Sequence, residues 1–218
     1  IRKALFGKVV RAYVLRRRAV TSTNYFSCQW EMSGAESAIK ILSWSKIQKN
    51  METNDTLEDP LKEVAAMQYM KRCSSTESHV LTPVEILADT KYIFVVLPLC
   101  KDGELYDRLE RTKDSFEEGE AQYWFRQIAQ GVNSLHQAGV CHRDISLENV
   151  LIHGGSCHII DMGMSLRVPQ HMSIASSEQT KNVLLTPQGR CGKFYYMAPE
   201  IYANREAFDP YAIDAWSA

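Results

Sequence analysis

The apolar positions of the chain follow two rhythms. Residues 7–14 (GKVVRAYV), 37–42 (SAIKIL) and 91–97 (KYIFVVL) are short, rich in β-branched side chains and bounded by polar stretches, which predicts three strands. Later segments change to helical period. The run LKEVAAMQYMKR after Asp59-Pro60 predicts a helix with Pro60 at its first position and Glu63, Met67 and Met70 on one face. Over 117–138, Ala121, Trp124, Phe125, Ile128, Val132 and Leu135 form an apolar stripe, and Gly139 follows as a stop. VLIH (150–153) and CHII (157–160) predict a hairpin about Gly154-Gly155. Between the first two strands, residues 16–36 read as a polar loop in which Arg16-Arg17-Arg18 is ordinary solvated charge. Residues 164–192 read as a long loop carrying several Ser and Thr.

Composition narrows the class. The 218 residues carry a net charge of −1, with 45% hydrophobic and 23% charged positions, enough apolar mass to bury a core. No apolar run reaches the roughly 18 residues of a membrane span, and no basic excess points to nucleic acid. Cys28, Cys73, Cys100, Cys141, Cys157 and Cys191 show no metal-ligand spacing, so they are expected as reduced thiols in a cytoplasmic protein. The chain opens on Ile1, which suggests a fragment.

The chemistry is concentrated in Cys141-His142-Arg143-Asp144-Ile145-Ser146-Leu147-Glu148-Asn149, followed by Asp161-Met162-Gly163. The predicted hairpin between them returns Asp161 beside Asn149, so two oxygen donors converge. With Ser37-Ala38-Ile39-Lys40 upstream and Tyr196-Met197-Ala198-Pro199-Glu200 downstream, the chain resembles the eukaryotic-type protein kinases over nearly its whole length. The resemblance implies an α+β, two-lobed fold. A small β-rich lobe with one main helix would occupy 1–97, a hinge 98–101, and an incomplete, mostly helical lobe 102–218. It implies ATP-dependent, Mg²⁺-dependent transfer to Ser/Thr hydroxyls of protein substrates, with an upstream activating kinase as a further partner.

Roles follow residue by residue from the same resemblance. Asp144 would orient the acceptor hydroxyl, and Asn149 and Asp161 would hold Mg²⁺. Lys40 would grip the α/β-phosphates, paired with Glu63; Glu58 is the competing partner. Gly7, Val9, Ala38, Leu97, Leu99, Cys100, Glu104 and Leu151 would line the ATP site. Since Pro98 lacks an N–H, Leu99 and Cys100 would supply the hinge donors. Met67 would lie one turn below Glu63, against Met162. Asp214 would anchor the catalytic-loop backbone. Arg143 implies control by an activation-segment phosphate, with Thr186 preferred over Ser173, Ser176, Ser177 and Thr180.

Three departures from the family pattern stand out. Aligning Phe6-Gly7-Lys8-Val9 with the end of GxGxFGxV puts Arg2 and Ala4 where the first two glycines belong, which motivates the alternative of a pseudokinase acting as a nucleotide-binding or scaffold module. Ser146 replaces the catalytic-loop lysine of Ser/Thr kinases, and Lys193 replaces the threonine of the substrate-binding loop. A reciprocal swap would return an ammonium to the γ-phosphate through Lys193 and a hydroxyl through Ser146.

Overall fold

The computed structural model describes residues 2–22, 25–53, 56–73, 78–113, 115–169 and 183–218. Ser173, Ser176, Ser177 and Thr180 lie outside them. Two compact units form, one from Ile1–Glu52 with Pro83–Leu99, the other from Thr53–Thr82 with Cys100–Ala218. The chain crosses for the last time between Leu99 and Cys100.

In the first unit, β1 (Arg2–Ala4), β2 (Gly7–Ser22), β3 (Tyr25–Ser43), β4 (Glu85–Ala88) and β5 (Tyr92–Pro98) build an antiparallel sheet in the order β1-β2-β3-β5-β4. Helix α1 (Trp44–Thr53) follows β3, and buries Ile47. Leu42, Ile93 and Val95 are buried in the sheet. Gly7 is required by close approach: a Cβ there would sit 1.8 Å from the Ile41 carbonyl oxygen.

Residues 16–36 are not a loop. They extend β2 and β3 into a two-stranded ribbon, with Leu15 opposite Met32, Arg16 opposite Glu31 and Arg17 opposite Trp30. Pairing of charged and large side chains across the strands, including Arg18 with Glu31 at 3.6 Å, favours the ladder over a loop. A bulge interrupts it between Tyr13 and Leu15. There Gly34 takes φ +75°, and the Ser33 hydroxyl donates to the Val14 carbonyl at 2.9 Å.

The second unit opens with α2 (Pro60–Cys73), capped by Asp59 Oδ1 on the Leu61 and Lys62 amides at 2.9 and 3.1 Å. Residues 53–82, expected with the first lobe, belong to this unit. The reason is local packing: α2 lies on the turn at 162–164, and the Leu81 amide donates to the Ile159 carbonyl at 2.9 Å. Then come β6 (Gly103–Glu104), α3 (Leu105–Arg111), α4 (Glu118–Gln137), β7 (Val140–Cys141), β8 (Val150–His153), β9 (Ser156–Ile159), β10 (Leu166–Arg167), α5 (Pro199–Ala203) and α6 (Pro210–Ser217). Strands β8 and β9 turn at Gly154-Gly155, both with positive φ, and β6 adds to β8.

Helix α4 buries Trp124, Ile128, Val132 and Leu135 as the stripe predicts, but Ala121 and Phe125 are exposed. Gln127 and Gly131 take the remaining buried positions. Gln127 Oε1 accepts from the Cys157 amide at 2.9 Å, and a Cβ on Gly131 would lie 2.9 Å from the His79 carbonyl oxygen.

Candidate active site

In the first unit the strand registers collect five of the expected nucleotide-site residues. Gly7 pairs with Leu42, Val9 with Lys40 and Ala38 with Leu97. Directly opposed residues share a face and alternate residues return to it. Gly7, Val9, Ala38, Lys40 and Leu97 therefore occupy one face of the sheet. Leu99 ends this unit.

The second unit holds the catalytic-loop candidates. Asp214 in α6 is wholly buried and accepts from the His142 amide at 2.7 Å, the Arg143 amide at 2.8 Å and His136 Nε2 at 3.0 Å. That single carboxylate fixes the backbone immediately before Asp144. His142, also buried, bonds the Ile160 carbonyl through Nε2 at 2.9 Å, which ties the loop to the chain entering Asp161. Arg143 and Asp161 take positive φ values of 71° and 66°, a strain tolerated when surrounding bonds hold the backbone.

Asn149 donates both amide hydrogens to Asp144, at 2.8 Å to its carbonyl and 2.7 Å to Oδ2. The amide is thereby oriented, and its carbonyl oxygen is left as a donor atom for a cation. Asp161 accepts from the Gly163 amide at 3.4 Å. Two oxygen donors suit Mg²⁺, which keeps waters and takes further oxygens from phosphates. Among the described residues no cluster of three or more His, Cys, Asp or Glu could hold a metal.

Lys193 Nζ donates to Ser146 Oγ at 2.6 Å and lies 3.8 Å from Asp144 Oδ2. The two departures from the family pattern thus meet beside the same carboxylate. Gly192 makes the approach feasible: its φ is +85°, and a Cβ there would sit 2.8 Å from the Arg143 carbonyl oxygen. Burial raises the Asp144 carboxyl above the ordinary range, opposed by Lys193 and by the Asn149 hydrogen bond and reinforced by the nearby Asp161 charge. Asp144 Oδ1 is buried without a hydrogen-bond partner.

Glu63 is 5% exposed in the first turn of α2, with Met67 and Met70 buried along the same face; Glu58 is half-buried beside Gly163. Met162 is 1% exposed in the turn against which α2 packs. Lys40 and Glu63 belong to different units. Glu104 opposes Leu151 across β6 and β8, so both share a face, and it precedes α3 without a side-chain cap bond. Burial pushes the Cys100 thiol up to about 11, keeping it protonated at neutral pH. Thr186 is exposed, and its hydroxyl is 3.3 Å from Gln188 Nε2.

Three contributors escaped prediction. Gly192 could have been found as a glycine preceding a lysine that must approach backbone closely. His136 gave no signal, since one polar residue at the end of an amphipathic helix is ordinary. Asn204, with φ +48° after α5, follows the habit of Asn to end helices.

Residues 21–218 match the family model described as the protein kinase domain. Similar proteins include a CBL-interacting serine/threonine-protein kinase 1 of Arabidopsis thaliana, 33% identical over 187 residues, which cover 85% of this chain and 37% of that protein. CBL-interacting protein kinases 31 and 3 of Oryza sativa subsp. japonica are 33% and 32% identical, over 83% and 85% of this chain and 36% and 37% of theirs. The chain therefore spans less than two-fifths of the length of these relatives. Among the described residues no helix is long and apolar enough to cross a membrane.

Proposed function

Because the chain belongs to the protein kinase domain family, we propose that it transfers the γ-phosphoryl group of ATP to Ser/Thr hydroxyls of protein substrates. The observation that carries this reading is the fixed set around Asp144: backbone held by Asp214, side chain held by Asn149, Lys193 alongside. Phosphoryl transfer needs positioning and charge stabilisation more than covalent help from the protein.

Asp144 orients the acceptor hydroxyl and takes its proton on the carboxylate. Asn149 Oδ1 and the Asp161 carboxylate would hold Mg²⁺, which supplies charge neutralisation at the phosphates. In the first unit, Lys40 would take the nucleotide phosphates on the sheet face that also bears Gly7, Val9, Ala38 and Leu97, with Leu99 at the end of that unit; in the second, Glu63, Cys100, Glu104 and Leu151 carry the remaining nucleotide-site roles of this reading. Lys193 and Ser146 act as one reciprocal pair. Lys193 brings the ammonium to the γ-phosphate, and Ser146 holds it through the 2.6 Å bond. Five described cysteines are free thiols, which favours a reducing, cytoplasmic setting.

The test is transfer from ATP and Mg²⁺ to a generic basic protein, with nucleotide-dependent thermal shift measured in parallel. Transfer by the wild type, abolished in Asp144→Asn with the nucleotide shift retained, is expected. Nucleotide binding without any transfer would instead favour a scaffold role, the reading prompted by Arg2, Ala4 and Ser146.

A further inference from the structure

We infer that Arg143 pins the segment bearing Lys193 through main-chain carbonyls, so that the unmodified chain is already arranged for transfer. The inference rests on the kinase reading above. Arg143 Nη1 donates to the Met164 carbonyl at 3.4 Å and Nη2 to the Gly189 carbonyl at 3.3 Å. One guanidinium thus joins the catalytic loop to positions on both sides of 170–182. The acceptor at 189 has no side chain to modify.

Gly189 is itself held on both its amide and its carbonyl, and its place suits glycine alone. Its φ is +89°, its amide donates to Asn204 Oδ1 at 3.1 Å, and a Cβ on it would lie 3.3 Å from Leu57 Cδ1. A serine or threonine there would combine left-handed backbone strain with that contact. Three residues on, the lack of a side chain at Gly192 leaves room for the Arg143 carbonyl, and the next residue, Lys193, reaches Ser146. The guanidinium, Gly189, Gly192 and Lys193 therefore form one continuous support. The buried Arg143 Nε has no hydrogen-bond partner, and the two bonds to main-chain carbonyls take one N–H from each Nη. Thr186, the expected acceptor of a phosphate among the described residues, receives a bond from Gln188.

The experiment compares phosphatase-treated wild type, checked by intact mass, with untreated protein, Arg143→Gln and Arg143→Lys. Transfer to a basic protein and hydrogen exchange over residues 183–192 are both measured, with α4 as the internal control. Treated wild type should keep its rate within twofold. Arg143→Gln should exchange at least tenfold faster over 183–192, with α4 unchanged, and lose at least tenfold in kcat/KM; Arg143→Lys should fall between. Loss of transfer on phosphatase treatment, or unchanged exchange in Arg143→Gln, overturns the inference. Wild type without transfer in either state would instead sink the kinase reading, while the exchange comparison still decides whether Arg143 pins the segment.

Discussion

Burial and a neighbouring cation pull the acidity of Asp144 in opposite directions, and burial wins. A base must be ionised to act, so activity should fall as pH drops through a point above the ordinary Asp range. Removing the Lys193 ammonium takes away an influence that lowers this pKa. Lys193→Ala should therefore move the acid limb of the kcat/KM profile to higher pH and lower the plateau by about 10²-fold, the scale of one lost transition-state donor. A plateau within twofold of wild type would end the swap. Linkage gives a second expectation. A carboxyl whose folded pKa is raised favours the fold when protonated, and that contribution is lost as pH rises through the raised value. Asp144→Asn should thus raise the unfolding temperature at pH 7 while removing transfer, and the gain should vanish at pH below the ordinary Asp range.

The support for these residues comes from short elements whose packing tolerates little change. A methyl added at Gly131 would meet both the His79 carbonyl and Ile159 Cδ1, so Gly131→Ala should cost about 1–3 kcal/mol in denaturant unfolding. Gly192→Ala combines left-handed backbone strain with a clash against the Arg143 carbonyl, so it should cost stability as well and also depress kcat by displacing Lys193. Single-turnover rates would separate the two effects. Much of this scale was legible in the sequence. Helices α2 and α4 and the β8–β9 hairpin follow from period and turn residues, and the meeting of Lys193 with Ser146 follows from the family resemblance. What was not legible depends on partners distant in sequence. Phe125 belongs to the apolar pattern, but its position on the helix turns it to solvent, while Gln127 is buried because the Cys157 amide needs an acceptor. Helix α1 buries only Ile47, too weak a stripe to detect. Residues 16–36 carry too many charges for a half-buried strand, and only cross-strand pairing explains them.

Each of the two units has its own core, and a nucleotide touching either stabilises the folded chain by mass action. ATP with Mg²⁺ at 100 times its Kd should add about 2.7 kcal/mol. Lys40→Ala should shrink the temperature shift at fixed ATP, and an identical shift in the variant would remove Lys40 from the site. The β2–β3 ribbon bears on a different property of the whole molecule. Beyond the bulge, among the described residues, its strands pair only with each other, so their outer edges offer unpaired backbone, and Leu15, Trp30 and Met32 are exposed beside them. Such an edge invites another chain to add as a further strand, and positive charge is a common deterrent. Replacing Arg16, Arg17 and Arg18 with threonine should therefore raise light scattering with time at unchanged unfolding midpoint. On this account the basic triplet acts as a guard that keeps neighbouring copies from zipping together.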